Sequence, residues 1–242
     1  MKEYLVLTWI GEAKKAVSYF QVSMISAHTI VTQACLGTLL HLDESITKTG
    51  VEKYPRAEYA AEHWIGHLQF EEVSGNMQDR MKCLFNPNNC YLSIWIWIYN
   101  TYNRRLHPQP EYTSQDSATP LHYAAICGIH DVIDFLVVEC LQDVDTQGFS
   151  FISHETPLSL ICSGAHLNIA HVLLEHNVDK EIQCSGDYSP LDHASELGAV
   201  DVVQLLLDHG ADVNFQGNKR KYTTLHLASI SRKADVVQVL LE

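Results

Sequence analysis

Thr119-Pro120-Leu121-His122, Thr156-Pro157-Leu158-Ser159, Ser189-Pro190-Leu191-Asp192 and Thr223-Thr224-Leu225-His226 are four versions of one tetrapeptide. Their second residues lie 37, 33 and 34 positions apart. A period near 33 marks a stacked array, in which each unit buries its apolar face against the next. In the third copy Ser189 is placed to cap a helix, and Pro190 takes the first helical position, where no N–H is needed. Leu191 and Ala194 give this short helix an apolar side, and Gly198 ends it where a left-handed residue is favoured. Val202, Val203, Leu205, Leu206 and Leu207 form the apolar run of a second helix. Gly210 closes that helix, and Ala211-Asp212-Val213-Asn214 opens a turn-rich connection to the next copy.

The other copies follow the same plan. The first has Ala124-Ala125, Gly128, then Val132, Ile133, Phe135 and Leu136. The second has Ile169, Ala170, Val172, Leu173 and Leu174, with Asn177 in place of Gly210. The fourth has Ala228, then Val236, Val237, Val239, Leu240 and Leu241. This pattern resembles the ankyrin repeat. The resemblance implies an all-α solenoid of helix pairs with short β-hairpin fingers, whose concave face binds other proteins. It also implies that His122 and His226 bond within their turns and tie neighbouring copies together. Ser159 and Asp192 replace that histidine in copies two and three, so weaker junctions are expected there.

The copies depart from the pattern elsewhere. The first spacing leaves about four extra residues, placed by sequence near Gly148-Phe149-Ser150-Phe151. Ile161-Cys162 and Ala165 replace the Ala-Ala pair and the Gly in copy two; Thr224 and Arg232 replace the Pro and the Gly in copy four. The chain stops at Leu241-Glu242, inside the expected last helix and on an apolar run, as a fragment would. About four repeats are expected over 117–242, the last truncated.

Residues 1–106 lack the tetrapeptide and read as helical. Val31, Cys35, Leu39 and Leu42 share one helical face, as do Ala61, Trp64, Ile65 and Leu68. Met77–Leu84 and Tyr91–Tyr99 are shorter candidates. Period alone leaves helix and buried strand open for Ser93–Ile98, and its neighbours favour helix. Pro108 and Pro110 mark 107–116 as a linker. The Trp-rich segment is expected to cap the first repeat, which must bury its N-terminal side.

Ala27-His28-Thr29-Ile30, Gln33-Ala34-Cys35-Leu36, Tyr59-Ala60-Ala61-Glu62-His63-Trp64, Gln78-Asp79 and Ile96-Trp97-Ile98-Tyr99 resemble a stretch of fungal NACHT–ankyrin proteins, which are related to NOD-like receptors. There the stretch joins the nucleotide-binding module to the ankyrin array. Lys2-Glu3-Tyr4-Leu5 resembles the close of the preceding helical module. A phosphate-cradling Gly-x4-Gly-Lys-Ser/Thr loop is absent, and Gly11-Glu12-Ala13-Lys14-Lys15 is not one. The resemblance therefore carries the sensor end of that family and not its nucleotide chemistry; no cofactor is expected.

The formal net charge is −13, and residues 117–242 supply most of it, with 17 acidic and 6 basic side chains. Such an array lacks the basic footprint that nucleic-acid binding requires. Seven scattered cysteines without a CxxC fit a reducing, cytoplasmic setting. The longest apolar run, Ile94–Tyr99, is far short of the roughly 20 residues that span a bilayer.

His63 and His67 stand one helical turn apart, a spacing that can hold a metal, with Cys83 and Cys90 downstream. The cysteine spacing does not match a zinc site, and a helix surface that carries histidine is the favoured reading. No Gly-x-Ser-x-Gly turn is present, and Glu71-Glu72 are adjacent rather than opposed, so no catalytic group is expected. Partner-binding residues are expected on exposed fingers and first helices: Tyr123, Phe149, Phe151, His154, Asp187, Tyr188, His193, Lys219, Arg220, Lys221 and Tyr222. Aromatic and basic groups at such places serve as interface anchors. The expected function is non-catalytic binding of a protein partner. An adaptor that recruits a target to a separate enzyme is the alternative, and a metal- or nucleotide-dependent enzyme with an ankyrin appendage is a third reading.

Overall fold

The computed structural model describes residues 24–42, 46, 51, 54–70, 73–102, 118–148, 154–164, 166–216 and 221–242. The expected linker, Lys2–Leu5, Phe149, Phe151, Ala165, Lys219 and Arg220 lie outside them. Among the described residues all regular structure is helical.

In the first half α1 (Met24–Leu39) packs along α2 (Pro55–Leu68), and α3 (Gln78–Phe85) and α4 (Tyr91–Tyr102) close over them. The stripes found by period point inward: Val31, Cys35, Leu39, Leu42, Ala61, Trp64 and Leu68 are all buried. Trp64, Phe85 and Trp95 meet as an aromatic cluster, Trp64 edge-on to Trp95 at 5.6 Å, and the Trp95 indole N–H donates to Ala61 O at 2.9 Å. Ser93–Ile98 is helical, within α4.

The second half is a two-layer stack. First helices α5 (Pro120–Ile126), α6 (Pro157–Gly164), α8 (Pro190–Leu197) and α10 (Thr224–Ile230) form one layer. Second helices α7 (Leu167–Glu175), α9 (Val200–Asp208) and α11 (Ala234–Leu241) form the other. One continuous apolar core runs from Val31 to Val236, through both halves.

Copy one departs from this plan in a way that corrects the reading of its extra residues. Its second helix is a 3-10 turn (His130–Val132) followed by a π-helical segment (Phe135–Glu139), with Cys140 N–H donating to Phe135 O at 2.9 Å. In copies one and three left-handed residues mark the ends of both helices. Gly128 and Leu141 are 13 positions apart, whereas Gly198 and Gly210 are 12 apart. One of the four extra residues is therefore taken up inside the second helix, since a π turn accommodates a single insertion without breaking the helix. By sequence the remaining extra residues fall between Leu141 and Pro157.

The fingers also differ from expectation. Their described parts are turns rather than β-hairpins. A few cross-links appear, among them Gly148 N–H to Glu155 O at 2.9 Å, His154 N–H to Gly148 O at 2.8 Å, and Cys184 N–H to Tyr188 O at 2.9 Å.

Candidate protein-binding face

The tetrapeptides cap the first helices. Thr119, Ser189 and Thr223 each adopt extended backbone and form reciprocal capping boxes with His122, Asp192 and His226. In copy two, Thr156 N–H donates to Ser159 Oγ at 3.0 Å, and Ser159 N–H to Thr156 Oγ1 at 3.2 Å. What the third helical residue of each copy does with its remaining atoms decides how the copies are joined.

His122 is fully buried. Thr119 N–H donates to its Nδ1 at 3.1 Å, which leaves Nε2–H to donate to Glu155 O of copy two at 3.1 Å. Burial lowers its pKa, while the bonds to the backbone act the other way. In copy two Ser159 Oγ donates to the Glu155 carboxylate, and Glu155 Oε2 lies 3.9 Å from His193 Nε2 of copy three.

The junction between copies three and four, where weakness was expected at Asp192, is bridged by a side-chain bond. The Thr224 hydroxyl donates to Asp192 Oδ1 at 2.9 Å, and both residues are fully buried. Asp192 Oδ2 accepts Ser189 N–H at 3.3 Å. Two departures from the repeat pattern, Asp for His in copy three and Thr for Pro in copy four, thus meet as one hydrogen bond. Burial raises the Asp192 pKa, and the bonds from Thr224 and Ser189 and the nearby His193 oppose that rise.

The fingers are tied by an acidic ladder. The Asp145 carboxylate accepts Asp179 N–H at 2.9 Å, and Glu181 accepts Asp212 N–H at 2.8 Å. Burial raises the pKa of both carboxyls, with neighbouring carboxylates adding to the rise.

Tyr123 corrects the sequence reading. It is buried, 6% exposed, and its ring stands edge-on to Trp95 at 6.3 Å, where it joins the array to α4. Position in the repeat suggested an exposed contact, but in the first copy Trp95 of α4 packs against this ring. Tyr188 and His193 do come together, edge to face at 5.5 Å and beside Glu155. Tyr222 stacks on His226 at 5.8 Å. Lys221 and His154 are exposed, and Asp187 is half-buried. All three hold left-handed backbone in the fingers, at φ 53°, 62° and 62°.

The sequence reading missed Glu155 and three exposed apolar residues, Ile126, Leu197 and Ile230, at 39%, 50% and 63% exposure. They occupy the last turns of α5, α8 and α10. Their signal was an apolar residue one or two places before the helix-ending left-handed position.

His67 has both ring nitrogens engaged, by His28 and Tyr59. Among the described residues no group of three or more His, Cys, Asp or Glu could hold a metal. All seven cysteines are free, and burial pushes the Cys35 and Cys127 thiols up to about 12. No helix among the described residues is long and apolar enough to cross a membrane.

Residues 138–217 match the family model "Ankyrin repeats (3 copies)", and residues 116–148 match "Ankyrin repeat". This chain carries ankyrin repeats. It is similar to azaphilone pigments biosynthesis cluster protein L of Monascus ruber, 29% identical over 190 residues, covering 74% of this chain and 40% of that protein. It is also similar to ankyrin repeat protein nuc-2 of Neurospora crassa, 31% identical over 134 residues, covering 54% of this chain and 12% of that one. Alpha-latrocrustotoxin-Lt1a of Latrodectus tredecimguttatus is 32% identical over 168 residues, covering 63% of this chain and 11% of the toxin. The chain thus spans less than half the length of these relatives. An ankyrin array is a protein-interaction module, whose stacked copies present an extended surface.

Proposed function

We propose that this chain is the recognition end of a fungal protein of the NOD-like receptor kind, cytoplasmic and without catalysis of its own. It binds a protein partner through the first helices and finger bases of its ankyrin array. The observations that carry this reading are the exposed apolar series Ile126, Leu197 and Ile230 and the aromatic and acidic group Tyr188, His193 and Glu155. Aromatic anchors among apolar and polar neighbours are the usual make-up of interface centres. Phe149, Phe151, His154, Asp187, Lys219, Arg220, Lys221 and Tyr222 belong to the same proposed face.

Residues 1–106 serve in this reading as the cap of the first repeat, with 107–116 as the linker. The Trp95–Tyr123 contact supports the cap, as does the ion pair of Lys82 Nζ with Glu139 Oε1 at 3.1 Å. The Monascus similarity supports treating both halves as one inherited unit, because it covers more of the chain than the array alone provides.

The test is affinity capture with the full chain and with a Phe149→Ala, Phe151→Ala, Tyr188→Ala variant, each first shown to be folded by circular dichroism. A partner held by the wild type and lost by the variant supports the face. A partner held equally by both moves the binding site elsewhere on the chain. No partner from a folded chain counts against the recognition role.

A further inference from the structure

We propose that His28 and His67 form a proton-gated latch between α1 and α2, closed while they share a proton and open when both rings are protonated. His28 Nδ1 faces His67 Nδ1 at 2.8 Å, and His67 Nε2 meets the Tyr59 hydroxyl at 3.0 Å. The His28 ring stacks on Phe70, with centroids 3.5 Å apart and planes 12° from parallel.

This chain of bonds tolerates a limited number of protons. With both rings neutral, one Nδ1–H donates to the other Nδ1, and Tyr59 serves His67 Nε2 as donor or acceptor. One added proton keeps the chain intact, because an imidazolium at His67 donates both ways. A second proton sets two N–H groups face to face across 2.8 Å, with two like charges behind them.

Among the described residues, these titratable and charged groups surround the pair. From α1 come His28 and the buried Cys35 thiol, and from α2 come Tyr59, Glu62 and His63. Glu62 Oε2 is directed to His63 Nε2 at 3.4 Å, and Tyr59 packs on the His63 ring at 4.6 Å. From α3, Arg80 reaches α1 at Gln33 O, at 3.0 Å. Glu71 and Glu72 follow Phe70 in sequence and lie outside the described residues. Burial, then His28, then His63 lower the His67 pKa, in keeping with a pair that resists its second proton.

Opening the latch would loosen the α1–α2 pairing and uncover Cys35, Leu36 and Leu39, which are fully buried when it is closed. The folded His67 pKa lies below 6.5, so the stability it contributes is complete above that value and is lost as pH falls through the folded one.

Hydrogen exchange on the full chain tests this, comparing about pH 7.5 with about pH 5.5, the range over which histidine switches, after correction for intrinsic rates. Amides of residues 24–39 should exchange about tenfold faster at the lower pH, while those of α8 and α9 change little. His67→Gln keeps groups able to pair with His28 and Tyr59 but cannot take a proton, and it should abolish the acceleration. No acceleration in the wild type, or the same acceleration in His67→Gln, overturns the proposal. Histidine NMR titration of the wild type is independent of any variant's folding. The His67 ring should titrate below the ordinary histidine range, and a His67 titration at the ordinary value would also overturn it.

Discussion

The junctions between copies one and two and between copies three and four lie at the same place in the repeat and are made by different chemistry. At the first, a neutral histidine ring donates to a backbone carbonyl of the next copy. At the second, a buried carboxylate receives a hydroxyl from the next copy's first helix. The histidine link needs only a backbone oxygen, which every residue type supplies. The carboxylate link needs a specific partner side chain, so it requires two changes in two copies. A residue that looks like a weakening of the pattern can therefore be half of a replacement.

That contrast is most easily broken at Asp192. Replacing it by Ala leaves the Thr224 hydroxyl and the Ser189 N–H without acceptors in a fully buried place, and removes half of a capping box. The expected loss is about 3 kcal/mol by urea denaturation. A loss below about 1 kcal/mol would mean that the carboxylate does not hold the junction. Asp192→His combined with Thr224→Pro restores the ordinary pattern and sharpens the comparison. Each single change should destabilise, because Thr224→Pro leaves a buried carboxylate oxygen unpaired and Asp192→His faces a hydroxyl set for an acceptor. The pair should recover about 2 kcal/mol relative to the sum of the singles. Additive effects would show that the two departures are unrelated.

The two junctions should also respond to pH with opposite sign. The folded His122 pKa is lowered, so the stability it supplies is present above about 6.5 and is lost as pH falls through the folded value. The folded Asp192 pKa is raised, so its contribution is greatest in acid and declines as pH rises from 3.8 through the folded value. Stability measured from acid to neutral pH should lose a rising component in His122→Gln. In Asp192→Asn it should lose a falling one. The same sign in both variants would contradict the assigned chemistry.

Much of this was legible in the chain. The tetrapeptides gave the caps, because a capping box is local and depends on residues three apart. The 3.6-residue stripes gave the buried faces of α1 and α2 for the same reason. Asp192–Thr224 was not legible as a bond, since the two residues are far apart in sequence and each reads alone as a lapse. Tyr123 was misplaced because its repeat position says exposed, while its surroundings are set by Trp95 of a different element. The π segment was hidden because an extra residue in a helix and one in a finger change the spacing equally. The proposed face was only partly legible: Tyr188 and His193 were found, Glu155 had no motif to mark it, and the exposed apolar residues were signalled only by their place just before the left-handed helix ends.

Leu141 offers the smallest expected effect, and it separates copy one from copy three at their helix ends. It stands where copy three has Gly210, at φ 53° against 81°, and it is 84% exposed. A leucine in left-handed backbone is strained by about 1 kcal/mol, and its exposed side chain recovers little of that by burial. Glycine removes the strain but adds freedom to the unfolded chain, which offsets part of the gain. Leu141→Gly should therefore stabilise the fold by about 0.5 kcal/mol in urea denaturation. The reverse change, Gly210→Leu, should destabilise by a similar amount, because nothing lies within 4 Å of a Cβ built there and only the backbone conformation resists. If Leu141→Gly destabilises instead, the leucine side chain makes contacts that its exposure does not reveal. The π segment of copy one would then be held by that side chain as well as by its inserted residue.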